Sequence, residues 1–106
     1  MSQAERPVLL VDAENVRRST WPNIERERLV ELAEAWAELE GVEAEVVWEG
    51  SESADDRIAA RAEALAAAGA PYWLVTSDRE LRARAGEGAE RVLGGGSFAR
   101  ELERPP

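Results

Sequence analysis

Four short apolar runs, separated by stretches whose hydrophobic residues recur every three to four positions, divide this chain into an unbroken β-α-β-α-β-α-β-α series. Such a series folds as a mostly parallel sheet covered by helices on both faces, because each helix carries the chain back to start the next strand. The expected architecture is a three-layer α/β/α domain with a mostly parallel, four-stranded sheet. A chain of 106 residues accommodates one such domain, spanning 1–106 with its core at about residues 7–103.

Val8-Leu9-Leu10-Val11 is apolar without alternation, the mark of a parallel strand buried on both faces, and it ends at Asp12. Asp12 to Thr20 reads as a polar connection. Trp21-Pro22-Asn23 then marks a helix start, with Pro suited to a first turn and Asn to a cap. The buried stripe of that helix is expected to be Leu29, Leu32, Ala33, Trp36 and Leu39, and Gly41 its left-handed cap. The second strand has Ala44 to Trp48 as its core. Ser53 caps the next helix, which runs through Ile58, Ala62 and Leu65 to Gly69. Tyr72 to Thr76 is the third strand, followed by a helix capped by Ser77, with Glu80 three residues on, that ends around Gly86–Gly88. Arg91-Val92-Leu93 is the fourth strand. Gly94-Gly95-Gly96 reads as a flexible loop, and Ser97 as the cap of a last helix through Phe98 and Leu102. Trp36, Trp48 and Trp73 are expected in the core. Trp21 either staples the first helix or stacks on a base.

Composition narrows the chemistry. There is no Cys and no His, and all 13 basic residues are Arg. Thiolate and imidazole catalysis, Schiff bases and the Walker lysine are therefore excluded. No apolar run approaches the roughly 18 residues of a membrane span and no signal peptide opens the chain, so a cytoplasmic protein with no membrane partner is expected. The Arg- and Ala-rich, Lys-free composition fits a GC-rich bacterial genome.

Only four of the 22 acidic residues are Asp: Asp12, Asp55, Asp56 and Asp78. Right-handed crossovers place all strand C-termini on one edge, and each Asp falls on that edge. There, beyond the strand ends, open α/β sheets bind their ligands. Asp55, Asp56 and Asp78 lie in helix first turns, where a carboxylate also serves the macrodipole. Asp12 ends an apolar strand without a helix cap to make. Three or more carboxylates meeting at one point repel one another and raise one another's pKa, unless a cation compensates them. An all-oxygen donor set selects Mg²⁺ or Mn²⁺, which suits phosphoryl chemistry. Asn15 adds a neutral oxygen or makes an Asx turn. Arg17, Arg18, Arg57 and Arg79 lie near the site in sequence and grip phosphates or pair with the abundant Glu. The Gly94–Gly96 run before Ser97 either cradles a phosphate or is a plain loop.

Leu9-Leu10-Val11-Asp12-Ala13-Glu14-Asn15-Val16, Ser53-Ala54-Asp55-Asp56-Arg57-Ile58 and Val75-Thr76-Ser77-Asp78-Arg79-Glu80-Leu81, taken in order, resemble the NYN domain, YacP-like branch, of the PIN-like nuclease superfamily. The resemblance covers nearly the whole chain. It implies a PIN-like fold, an acidic site for Mg²⁺ or Mn²⁺, and endoribonuclease activity, with RNA and for some members the ribosome as partners. By position it makes Asp12, Asp55 and Asp78 the catalytic acids, adds Asp56 to them as a metal ligand, and makes Asn15 their polar partner. With Asn15, Arg17, Arg57, Ser77 and Arg79 are then the substrate-binding candidates. Two departures stand out. Ala13-Glu14 occupies the place of a small residue and an aromatic, and one strand stands where the family has two. Val47-Trp48-Glu49-Gly50 is either the first of that pair, with Glu49 in place of a strand-end Asp, or the second.

Two other readings are compatible with the residues. One is a catalytically silent module that binds RNA, ribosome or protein, consistent with the shortened sheet and the absence of a basic tail. The other is a phosphohydrolase with Asp12 as nucleophile, against which the missing Lys counts.

Overall fold

The computed structural model describes residues 6–104; the two ends of the 1–106 span lie outside this range. Its elements are β1 (Val8–Asp12), α1 (Ala13–Arg17), α2 (Arg26–Glu40), β2 (Glu43–Val47), α3 (Ala54–Ala67), β3 (Tyr72–Val75), α4 (Arg79–Ala85), β4 (Arg91–Leu93) and α5 (Gly95–Leu102). The four strands form one sheet in the order β2-β1-β3-β4, every pairing parallel. Among the described residues no helix is long and apolar enough to cross a membrane.

Successive side chains of a strand point to opposite faces, and β1 divides accordingly. Leu9 and Val11 join a core with α1, α2 and α5, including Leu29, Trp36 and Phe98. Leu10 joins a second core with Ile58, Leu65, Leu74 and Leu81 from α3, β3 and α4. The expected three layers are present, and the central strand is buried on both sides. β1 leads to β2 on one flank while β3 lies on the other, so the strand order reverses between β1 and β3. That is the switch point where open parallel sheets hold ligands.

Several local expectations need correction. The connection after β1 contains a one-turn helix, α1. The second helix starts not at Trp21–Asn23 but at Arg26, after an extended Glu25 that makes no side-chain cap. The staple position before the cap is filled by Ile24, which shares a buried cluster with Leu29, while Trp21 is 91% exposed. Leu39 is 86% exposed. At 3.6 residues per turn it falls roughly 80° from Leu29, on the side away from Ala33 and Ala37, so Ala37 takes its place in the stripe. Trp36 is core, joined edge-on by Trp73 and Phe98. Trp48 and Trp73 are half-buried, each beneath an arginine, Arg26 and Arg91 respectively. Asp78, not Ser77, caps α4, accepting from the Leu81 amide. Gly94–Gly96 is no loop: α5 begins at Gly95.

Gly41 ends α2 in the left-handed region, with φ 75°. Ser53 caps α3 by accepting from the Asp56 amide at 3.0 Å. Ser53→Ala should lower unfolding stability by about 1 kcal/mol, measured as a shift of the urea midpoint without a change in slope.

Candidate active site

The loops after β1, β2 and β3 converge at the switch point. Asp12, Glu14, Asn15, Arg18, Ser19, Glu49, Asp55 and Asp78 line one polar cavity of about 600 Å³. Three of the four Asp residues, widely separated in sequence, therefore line one cavity. Glu49 joins them from the end of β2, the place of a strand-end acid, and its Oε2 also accepts from the Ala54 amide at the start of α3.

Asp12 is the most buried of the group, at 6% exposure. Its Oδ2 accepts from the Thr76 hydroxyl at 2.8 Å, and the Thr76 oxygen in turn accepts from the Asp78 amide at 3.1 Å. This relay ties the ends of β1 and β3 together across the switch point. Burial, opposed by the Thr76 hydrogen bond but reinforced by the charges of Asp55, Asp78 and Glu49, raises the Asp12 pKa. Asp55 is raised as well, by desolvation and by the charges of Asp78 and Glu49, with Arg84 pulling the other way. The site thus concentrates negative charge.

The other candidates are placed differently. Asp56 turns to the α3–α4 side, where its carboxylate pairs with Arg84 at 3.1 Å, and it does not join the cavity. Helical geometry explains this, since consecutive residues point about 100° apart. Arg57 donates to the Trp48 carbonyl at 3.0 Å. Arg79 is exposed and, like Arg57, outside the cavity lining. Arg17 pairs with Glu14 at 3.3 Å. Ser77 is structural: its amide donates to Asn15 Oδ1 at 2.9 Å, and its Oγ accepts from the Gly95 amide at 2.7 Å. Asn15 lines the cavity, but its oxygen already holds the loop after β3.

Two residues outside the candidate site set prove central. Thr76 is a fully buried hydroxyl at the end of an apolar strand, a polar group with no reason to be there unless it bonds something. Gly95 packs so closely on Asn15 that a β-carbon would collide with Asn15 Oδ1. The Gly-Gly-Gly run was the visible signal for it.

The chemistry of the donors fits a hard divalent cation: the carboxylates of Asp12, Asp55, Asp78 and Glu49 offer only oxygen. Among the described residues no three acidic side chains are drawn together as a ready-made cage.

No family model and no curated protein matches the chain. Among solved structures it is similar to a mutant of Rae1 (YacP) from Bacillus subtilis, with a TM-score of 0.67 and 26% identity over 92% of this chain and 75% of that one. The chain has a YacP-like fold.

Proposed function

We propose that this chain is an endoribonuclease that hydrolyses RNA phosphodiester bonds with Mg²⁺ or Mn²⁺, and that Asp12, Asp55 and Asp78 are its catalytic acids. The observation that carries the proposal is that these three carboxylates, with Glu49, line one polar cavity at the switch point of a YacP-like sheet. The resemblance of the sequence motifs to the NYN domain points to the same activity, with RNA, and by extension the ribosome, as partner.

Asp12, Asp55 and Asp78, with Glu49 beside them, would hold the ion. When bound, the ion would supply charge neutralisation at the phosphate and a more acidic water. The chain's own groups do the rest. Thr76 fixes the Asp12 carboxylate through Oδ2 and holds the start of α4 through the Asp78 amide. With the ion bound, the raised proton affinity that Asp12 and Asp55 have without it would be offset, leaving both carboxylates ionised as ligands. No His or Lys is needed for either task.

The test is cleavage of a single-stranded RNA in Mn²⁺, with chelator and Asp55→Asn as controls. We expect chelation to abolish cleavage and Asp55→Asn to reduce kcat by about 100-fold or more. Equal cleavage by Asp55→Asn and wild type would remove the proposal. The separation of the carboxylates favours one other reading, a silent module of the same fold. Calorimetric titration decides between them, because a silent module takes up no Mn²⁺ that Asp55→Asn abolishes.

A further inference from the structure

Beside the acidic cavity lies a patch of opposite sign. Glu14 is 9% exposed, and three guanidiniums surround its carboxylate: Arg17 at 3.3 Å, Arg18 at 3.5 Å and Arg26 at 3.4 Å. Around Glu14 itself three positive charges face one negative, on a chain whose net charge is −9, while the carboxylates of Asp12, Glu49, Asp55 and Asp78 lie in the adjoining cavity. Arg18 and Arg26 are about two-thirds exposed or more. Each guanidinium has five N–H donors, most of them still free for a ligand. The Arg17 Nε is buried without a partner. A cluster built only to neutralise Glu14 would need one arginine. Arg18 and Glu14 also line the acidic cavity, so cluster and cavity share a wall.

Aromatic surface adjoins the cluster at Trp48, and a second exposed ring, Trp21, is near it in sequence. Arg26 lies over the half-buried Trp48 ring, 5.4 Å from its centroid. Trp21 follows Arg18 by three residues, within about 11 Å of backbone reach, and is 91% exposed. Guanidiniums to track a phosphate backbone, with aromatic rings to stack bases, are the combination by which proteins hold single-stranded nucleic acid.

We propose that the Glu14-centred arginine cluster, together with Trp21 and Trp48, is the docking track for single-stranded RNA, delivering the strand to the acidic cavity. Glu14 is the positioning residue: it aligns three flexible side chains so that their outer N–H groups meet successive phosphates. A carboxylate cavity repels phosphate, and a neighbouring basic patch offsets that repulsion. The proposal deepens the nuclease reading and rests on it for the direction of the strand, but binding can be measured without cleavage.

The experiment is fluorescence anisotropy of a labelled single-stranded RNA, without divalent ions, across a salt series. Arg18→Ala and Arg26→Ala are each expected to weaken binding several-fold and to reduce the log–log salt slope by about 0.7 for each phosphate that is no longer neutralised. Trp21→Ala is expected to weaken binding several-fold while leaving the slope unchanged. Arg18 and Arg26 are themselves exposed and each variant leaves Glu14 two arginine partners, so the thermal midpoints should stay near wild type and show these variants folded. Wild-type affinity and slope in both arginine variants would overturn the track, as would a wild type that binds no RNA. Arginine-dependent binding by a wild type that never cleaves would sustain the track and sink the nuclease reading.

Discussion

Asp12→Asn should reduce RNA cleavage by about 100-fold or more and, without divalent ions, raise the thermal midpoint by a few degrees. The opposite signs have one cause. Asp12 is nearly buried beside Asp55, Asp78 and Glu49, and burial and these charges make its ionised form unfavourable in the fold. A carboxyl whose pKa is raised on folding binds its proton more tightly in the native state, so its contribution to stability is full at low pH and is lost as pH climbs through the raised value. At neutral pH the wild type therefore bears the cost of an ionised Asp12. Asparagine keeps the shape and can still accept the Thr76 hydroxyl bond, without the charge. The stability gap between variant and wild type should close below the ordinary carboxylate range, where Asp12 is protonated, and open as pH rises. Saturating Mn²⁺ should reverse the order, because an ion bound only by the native state stabilises it by about 2.7 kcal/mol at 100 times its Kd. Calorimetric scans across pH, with and without Mn²⁺, check each part. A variant less stable than wild type at every pH would mean that Asp12 is held by favourable contacts and does not stand in a repulsive cluster.

The layers and the site edge were legible because they follow from period and polarity. Val8–Val11 admits only a buried strand, the crossover rule then puts Asp12, Asp55 and Asp78 on one side, and the cavity contains all three. What stayed hidden depends on which of two neighbours a side chain reaches. Ser77 and Asp78 are both good caps by residue type. Ser77 is diverted to the Gly95 amide from another loop, which leaves the cap to Asp78. Asp55 and Asp56 are equivalent by residue type, but one turns to the cavity and the other to Arg84. Gly94–Gly96 has the composition of a loop. It becomes helix because tertiary packing at Asn15 needs a residue without a β-carbon, which outweighs the poor intrinsic preference of glycine.

That packing makes Gly95→Ala an informative change. In an exposed helix the substitution would stabilise by about 1 kcal/mol. Here we expect it to destabilise by about 1–3 kcal/mol, because the new methyl group must displace Asn15 Oδ1 and break its bond to the Ser77 amide. The Asn15–Ser77–Gly95 junction joins the loops after β1, β3 and β4. Its loss should let Asp12 and Asp78 drift relative to one another. Misplacement by about 1 Å in catalytic groups can cost about 100-fold, so kcat should fall by roughly 10- to 100-fold with a smaller change in KM. Asn15→Ala supplies the control. Combined with Gly95→Ala it removes the collision, and the double variant should recover part of the lost stability, measured as a coupling in a double-mutant cycle. It should not recover the rate, since the bridge from Asn15 to the loop of Asp78 is still missing. Recovery of both would assign Gly95 to packing alone, whereas recovery of stability without rate would identify the junction as the part of the fold that sets the spacing of the acids.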